Sequence, residues 1–267
     1  MTAAPEPEPP ARARWLRSLV PPVAGVVLFL AVWQGFVRVF SIRAFVLPAP
    51  TEIFRHLASD PGFYVRNARV TLWEAGLGFG LGLLLALAAA TVMAHVRVIE
   101  QAALPLVLLV QVTPIVAYAP AVVIWLGFGL KPILLITSLV CFVPFLVNAV
   151  TGFRSIDPDA AELMHSVSAS RREVFFLLRV PHALPYLFSA ARIAVGLALI
   201  GAVLGEYFAG VQSGLGYAVK VAQARSLVDQ LWGSIYVLGF LGGVAVLLIA
   251  ALERVMLRWH SSQIAAN

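Results

Sequence analysis

The chain has 267 residues, 61% of them hydrophobic and 12% charged, with a mean hydropathy of +0.91 and a formal charge of +6. Soluble domains carry about 25% charged residues, so the composition excludes an ordinary water-soluble enzyme and a disordered protein and points to a polytopic membrane protein. The single cysteine, Cys141, excludes an intrachain disulfide framework and any multi-cysteine metal site.

The first eighteen residues are rich in Pro and Glu and end in Arg12, Arg14 and Arg17. That composition builds no core, and residues 1–18 read as a disordered cytoplasmic tail with a basic stop at the membrane. Residues 19–40 follow as a first apolar run. It is longer than a typical signal-peptide core and no small-x-small site follows it, which favours an uncleaved span over a signal peptide. Residues 41–74 read as an extracytoplasmic segment, amphipathic over 48–72, which accounts for Arg55, Arg66 and Arg69 there.

Five more runs reach the roughly 20 residues that cross about 30 Å of hydrocarbon as a helix. Residues 75–94, 102–126, 132–153 and 231–252 hold no Asp, Glu, Lys or Arg, and 184–208 holds only Arg192 and Glu206. Backbone groups in lipid must pair internally, so these runs are helices. The expected fold is therefore all-α, with six transmembrane helices and a cytoplasmic loop at 154–183. Residues 75–257 form the five-helix part and 258–267 a cytoplasmic tail. With both termini inside, inner segments hold ten basic residues and outer segments seven, a small positive-inside bias.

Several membrane residues depart from plain anchors. Gly78 and Gly82 make a small-xxx-small pair for close helix approach. Pro105, Pro114 and Pro120 interrupt the third span and Pro144 the fourth. They read as kinks along a transport path, or as ordinary membrane-helix usage. Gln111, Thr113, Tyr118, Asn148 and Thr151 either line that path or bridge helices. Arg192 and Glu206 lie 14 residues apart, about 21 Å along one helix, and cannot pair within it. Each belongs to the pathway or a dimer interface, or snorkels from a helix end. The five histidines show no ligand spacing, so no metal site is expected. Neither Lys131 nor Lys220 sits in a phosphate loop, so the chain carries no nucleotide site of that type. Its basic residues are scattered between apolar runs, which is no footprint for nucleic acid.

The loop at 154–183 is the most informative segment. Asp157 reads as an N-cap with Pro158 at the first helical position, opening a helix of about a dozen residues to Ser168. Ser170 and Glu173 form a capping box for a second helix that ends before Pro181. Leu163, Met164 and Val167 share one side of the first helix. That stripe is covered by the chain's own helix ends or by a groove on another subunit.

Glu162-Leu163-Met164, three residues, Ser168, nine residues, then Leu178-Arg179-Val180-Pro181 resembles the EAA loop of type I ABC importer permeases. Glu162 and Pro181 match that pattern outright. Leu163 and Met164 replace its alanines, and Ser168 its glycine. Leu47-Pro48-Ala49-Pro50, Trp125-Leu126-Gly127-Phe128-Gly129, Ala183-Leu184-Pro185, Gly205-Glu206 and Gly214-Leu215-Gly216-Tyr217 resemble the nitrate/sulfonate/taurine-type branch, over about residues 45–260. The wording around His165 and His182 is most similar to permeases for thiamine-precursor pyrimidines and riboflavin.

The resemblance implies a non-catalytic permease subunit of the bacterial inner membrane that pairs with a second copy. It implies a cytoplasmic ABC ATPase that holds the ATP and Mg, with no cofactor in this chain, and an extracytoplasmic solute-binding protein. The coupling helix would present Ala160, Ala161, Glu162, Leu163, Met164, Ser166, Val167 and Ser168 to the ATPase. Serine at a turn that favours φ > 0 costs about 1 kcal/mol or forces another turn. An ion-coupled secondary transporter without an ATPase partner is the rival reading. It calls for an internal repeat and mid-membrane ionisable groups, and no repeat is visible.

Overall fold

The computed structural model describes the backbone of residues 11–257 and the side chains of residues 20–257. The tails expected over residues 1–10 and 258–267 lie outside the described residues. Every regular element among the described residues is helical, as the composition requires of a chain packed in lipid. Among the described residues, five helices are long and apolar enough to cross a membrane, or six when one sharply bent pair counts as a single span.

The first helix, α1 (Ala11–Val39), starts earlier than the composition suggests and takes in residues 11–18. Most of its apolar side chains are exposed, as a lipid-facing helix requires. Trp33 anchors it, meeting Trp232 and Tyr236 edge-on or tilted at ring separations of 5.1 and 5.8 Å.

The outer segment holds one short helix and the start of a long one. α2 (Pro50–Ser59) is amphipathic, burying Ile53 and exposing Arg55. Glu52 caps it by accepting from the Ala49 amide at 3.0 Å. Asp60 then caps α3 (Pro61–His95), accepting from the Phe63 amide at 2.9 Å with Pro61 in the first turn. No breaker separates residues 62 and 75, so the expected outer segment at 61–74 is continuous with the second span. Thirty-five residues extend about 52 Å, which carries Arg66 and Arg69 beyond the hydrocarbon.

The third run is broken rather than straight. α4 (Arg97–Val112) and α5 (Ile115–Leu126) meet at 101°. Pro114 lacks an amide hydrogen and forces its predecessor out of the helical region. Thr113 accordingly sits at φ −71°, ψ 123°.

α6 (Leu130–Arg154) forms the centre, packed between α3 and α9 (Val180–Phe208). Its neighbours approach on small residues. A Cβ at Gly82 of α3 would stand 2.7 Å from the Ser138 carbonyl oxygen, and one at Gly205 of α9 would stand 2.8 Å from the Ile133 Cα. The Gly78/Gly82 pair thus brings two helices of one chain together. Ala86, Ala90, Cys141, Phe145, Ala149, Ala194 and Ala198 fill the seam below. Gly82→Leu is expected to push α3 off α6 at a cost of at least about 1–3 kcal/mol, read as a lower melting temperature of the detergent-purified chain. Gly76→Leu, at a position with open space around it, should melt like the parent.

α7 (Pro158–Ser166) and the short α8 (Arg171–Glu173) form the loop. The second loop helix does not end before Pro181. A six-residue π-helical stretch, Val174–Arg179, joins α8 directly to α9. The Val180 amide donates to the Phe175 carbonyl, so the wider turn admits Pro181 into α9 where a regular turn would leave a carbonyl without its donor. A further helix, α10 (Leu215–Ala224), which the sequence analysis did not anticipate, lies between α9 and α11 (Val228–Met256).

Candidate functional site

Three places gather the polar residues of this apolar chain. The first is α7. Asp157 caps it as expected, accepting from the Asp159 amide at 3.0 Å. The helix has nine residues, shorter than the expected dozen, because the chain turns at Val167. The Ala169 amide donates to the Met164 carbonyl and the Ser168 amide to the His165 carbonyl, both at 3.0 Å. Ser168 takes φ +56°, the left-handed geometry that glycine adopts most easily. The capping box follows, with the Ser170 amide donating to Glu173 at 2.7 Å and the Glu173 amide to the Ser170 hydroxyl oxygen at 3.3 Å. That box lowers the Glu173 pKa, the hydrogen bonds to Ser170 favouring the charged carboxylate.

No residue of α7 is buried. Ala160, Ala161 and Met164 are half-covered, while Glu162, Leu163, Ser166, Val167 and Ser168 are exposed. The expected stripe therefore divides: Leu163 (65% exposed) and Val167 (66%) stand outward, and Met164 turns partly inward. The π-helical stretch against which α7 packs also exposes Phe176 and Leu177. Sequence reasoning placed these two inside a regular helix. The closeness of Pro181 to the loop was the signal that a wider turn would rotate them.

The second place is a cleft of about 280 Å³ at the α4–α5 bend. It brings together Gln111, Thr113 and Tyr118, with Val143 and Pro144 of α6 behind. Asn148 does not join them; its amide donates to the Pro144 carbonyl at 2.8 Å. Thr151 donates to the Val147 carbonyl at 2.8 Å.

The third is a buried cluster around Glu206. Its side chain is fully buried, which rules out snorkelling. Oε1 accepts from the Thr71 hydroxyl at 2.6 Å and Oε2 from the Gly216 amide at 2.5 Å. Thr71 Oγ1 also accepts from the Leu215 amide at 2.8 Å, and Asn67 accepts from the Gly214 amide at 2.9 Å. Glu74, also buried, lies beside Glu206. The cluster ties α3, the end of α9 and the turn into α10 together. Asn67, Thr71 and Glu74 fall in the stretch whose composition reads as an outer segment, so they are absent from the candidates above; their i, i+4, i+7 spacing is the available signal.

Arg192 lies apart from Glu206 and pairs with Glu253 of α11, while Arg154 of α6 pairs with Glu100 of α4. These two ion pairs fasten α9 to α11 and α6 to α4. Among the described residues no three His, Cys, Asp or Glu side chains come together.

Residues 78–264 match the family described as "Binding-protein-dependent transport system inner membrane component". The chain is 33% identical over 257 residues to the riboflavin transport system permease protein of Chloroflexus aurantiacus, covering 94% of this chain and 96% of that protein. It is 29% identical over 243 residues to the formylaminopyrimidine transport permease protein of Halalkalibacterium halodurans, covering 91% and 96%. It is 26% identical over 258 residues to a putative aliphatic sulfonates transport permease protein of Bacillus subtilis, covering 95% and 91%. The fold resembles a crystal structure of an amino acid ABC transporter with histidines at a TM-score of 0.59, with 16% identity over 77% of this chain and 97% of that one. Together with the apolar helices and the loop at 154–183, the match places this chain in the family of inner membrane permease components of binding-protein-dependent transport systems.

Proposed function

We propose that this chain is the membrane subunit of an ATP-driven importer for a small solute. A second copy completes the translocation path, and an extracytoplasmic binding protein delivers the solute. A separate cytoplasmic ATPase holds the ATP and Mg and docks on α7. The chain itself performs no covalent chemistry. It lies in a bacterial plasma membrane with both termini in the cytoplasm. The solute is riboflavin or a thiamine-precursor pyrimidine, or else a sulfonate, taurine or nitrate, as the sequence resemblance implies; the relatives' names support this reading with riboflavin, formylaminopyrimidine, aliphatic sulfonates and taurine.

One observation carries this reading. A capped helix with no buried residue presents Leu163 and Val167 outward on a loop between two spans. Apolar side chains held that far out on a rigid element suit a groove on another protein. ATP would draw two ATPase subunits together, the α7 helices would follow as levers, and the spans would repack between inward- and outward-open arrangements.

The test is co-purification. The tagged full chain, expressed with its neighbouring genes, should retain an ATPase subunit. In proteoliposomes the complex should accumulate solute only with ATP and binding protein present. Uptake by the purified chain without ATP would overturn the proposal.

A further inference from the structure

Opposite ends of two helix dipoles meet in the cleft at the α4–α5 bend. α4 ends there at Val112 with its last-turn carbonyls, and α5 begins there at Ile115 with its first-turn amides. Pro114 has no hydrogen to offer the Val110 carbonyl. The partial charges at the two helix ends have opposite sign and offset one another. The bend therefore offers acceptors and donors side by side, with little net field for an ion.

The side chains repeat that pattern. Gln111 adds an amide with both donor and acceptor, and Tyr118 adds a hydroxyl. The Thr113 hydroxyl already donates to the Leu109 carbonyl at 3.0 Å, which leaves its lone pairs to accept. The remaining lining is apolar, Val143 and Pro144 among it, and no Arg, Lys, His, Asp or Glu among the described residues lines the cleft. The arginines set in the spans beside it are already paired, Arg192 with Glu253 and Arg154 with Glu100.

We infer that this cleft takes an uncharged planar heterocycle whose edge carries both hydrogen-bond donors and acceptors, and that it excludes sulfonates and other anions. The inference rests on the importer reading above and narrows its substrate. An anion entering here would give up hydration with no cation to replace it. A flat neutral ring lies against the proline and tyrosine faces and pairs its edge with Gln111 and the open backbone groups. A cleft of about 280 Å³ suits one or a few fused rings, and a second copy facing it would enclose the ring.

The experiment uses the whole complex, with its ATPase and binding protein, in proteoliposomes. The probes are riboflavin, formylaminopyrimidine, ethanesulfonate and taurine, with ATP hydrolysis read in parallel. ATP-dependent accumulation of at least one of the two heterocycles, and of neither sulfonate, is expected. Gln111→Leu and Tyr118→Phe should each cut heterocycle uptake about tenfold by raising KM, the loss of one neutral hydrogen bond. Gln111→Asn should retain most of the uptake, which separates a lost contact from a lost fold. Accumulation of ethanesulfonate or taurine overturns the inference, as does stimulated ATP hydrolysis with no heterocycle accumulated. In both cases the importer reading survives, whereas solute accumulation without ATP removes that reading as well.

Discussion

Glu206→Ala is expected to lower the melting temperature of the detergent-purified chain by on the order of 10 °C, a loss of about 3–5 kcal/mol. Truncation leaves the Gly216 amide without its acceptor in a site closed to water, and takes from the Thr71 hydroxyl the nearer of its two acceptors, the other being the Asn67 carbonyl at 3.2 Å. It also leaves a cavity where a fully buried side chain stood. The effect should travel through Thr71, because its one oxygen donates to Glu206 and accepts from Leu215. Thr71→Val should therefore cost about 1–3 kcal/mol, while Thr71→Ser, which keeps the hydroxyl, should cost less than about 1 kcal/mol. Thermal unfolding of the four proteins side by side reads the order. A Glu206→Ala chain that melts within about 2 °C of the parent would show that the cluster is solvated and does not fasten the turn to α3.

That cluster also marks where the sequence ceased to be legible. Long uncharged runs located the spans, because lipid admits little else, and Asp157, Pro158, Ser170 and Glu173 located the loop helices through local capping chemistry. Partners distant in sequence were not visible. Glu206 and Thr71 are 135 residues apart, and nothing local to either names the other. The outer end of α3 was misplaced for a related reason. Arg66 and Arg69 read as part of an outer amphipathic segment, yet a span can simply continue into water. Proline was read too uniformly. Pro114 does break its helix, whereas Pro181 is absorbed by a π-helical turn, and the choice depends on whether a wider turn can pair the neighbouring carbonyls. The polar residues of the third and fourth spans divided likewise: Gln111, Thr113 and Tyr118 of the third meet in one cleft, while Asn148 of the fourth bonds back to its own helix.

Glu162→Ala combined with Leu163→Asp should cut ATP-driven uptake at least tenfold while ATP hydrolysis by the complex continues. The chain should still reach the membrane at parental levels, because both side chains are exposed and no buried contact is lost. The reason is mechanical. α7 is held as a rigid unit by the Asp157 cap at one end and the left-handed Ser168 turn at the other. The π-helical stretch against which it packs runs without interruption into α9, so a displacement of α7 passes directly to a span. On the proposed reading, what remains adjustable is the grip of α7 on the ATPase. A carboxylate in place of Leu163 would enter an apolar groove unpaired and weaken the docking far more than a lost surface charge does. Arg171→Gln, beside the turn and exposed, should change uptake less than twofold and serves as the control. Were the double variant to import at the parental rate, α7 would not be the lever, and the exposed Phe176 and Leu177 would become the next surface to substitute.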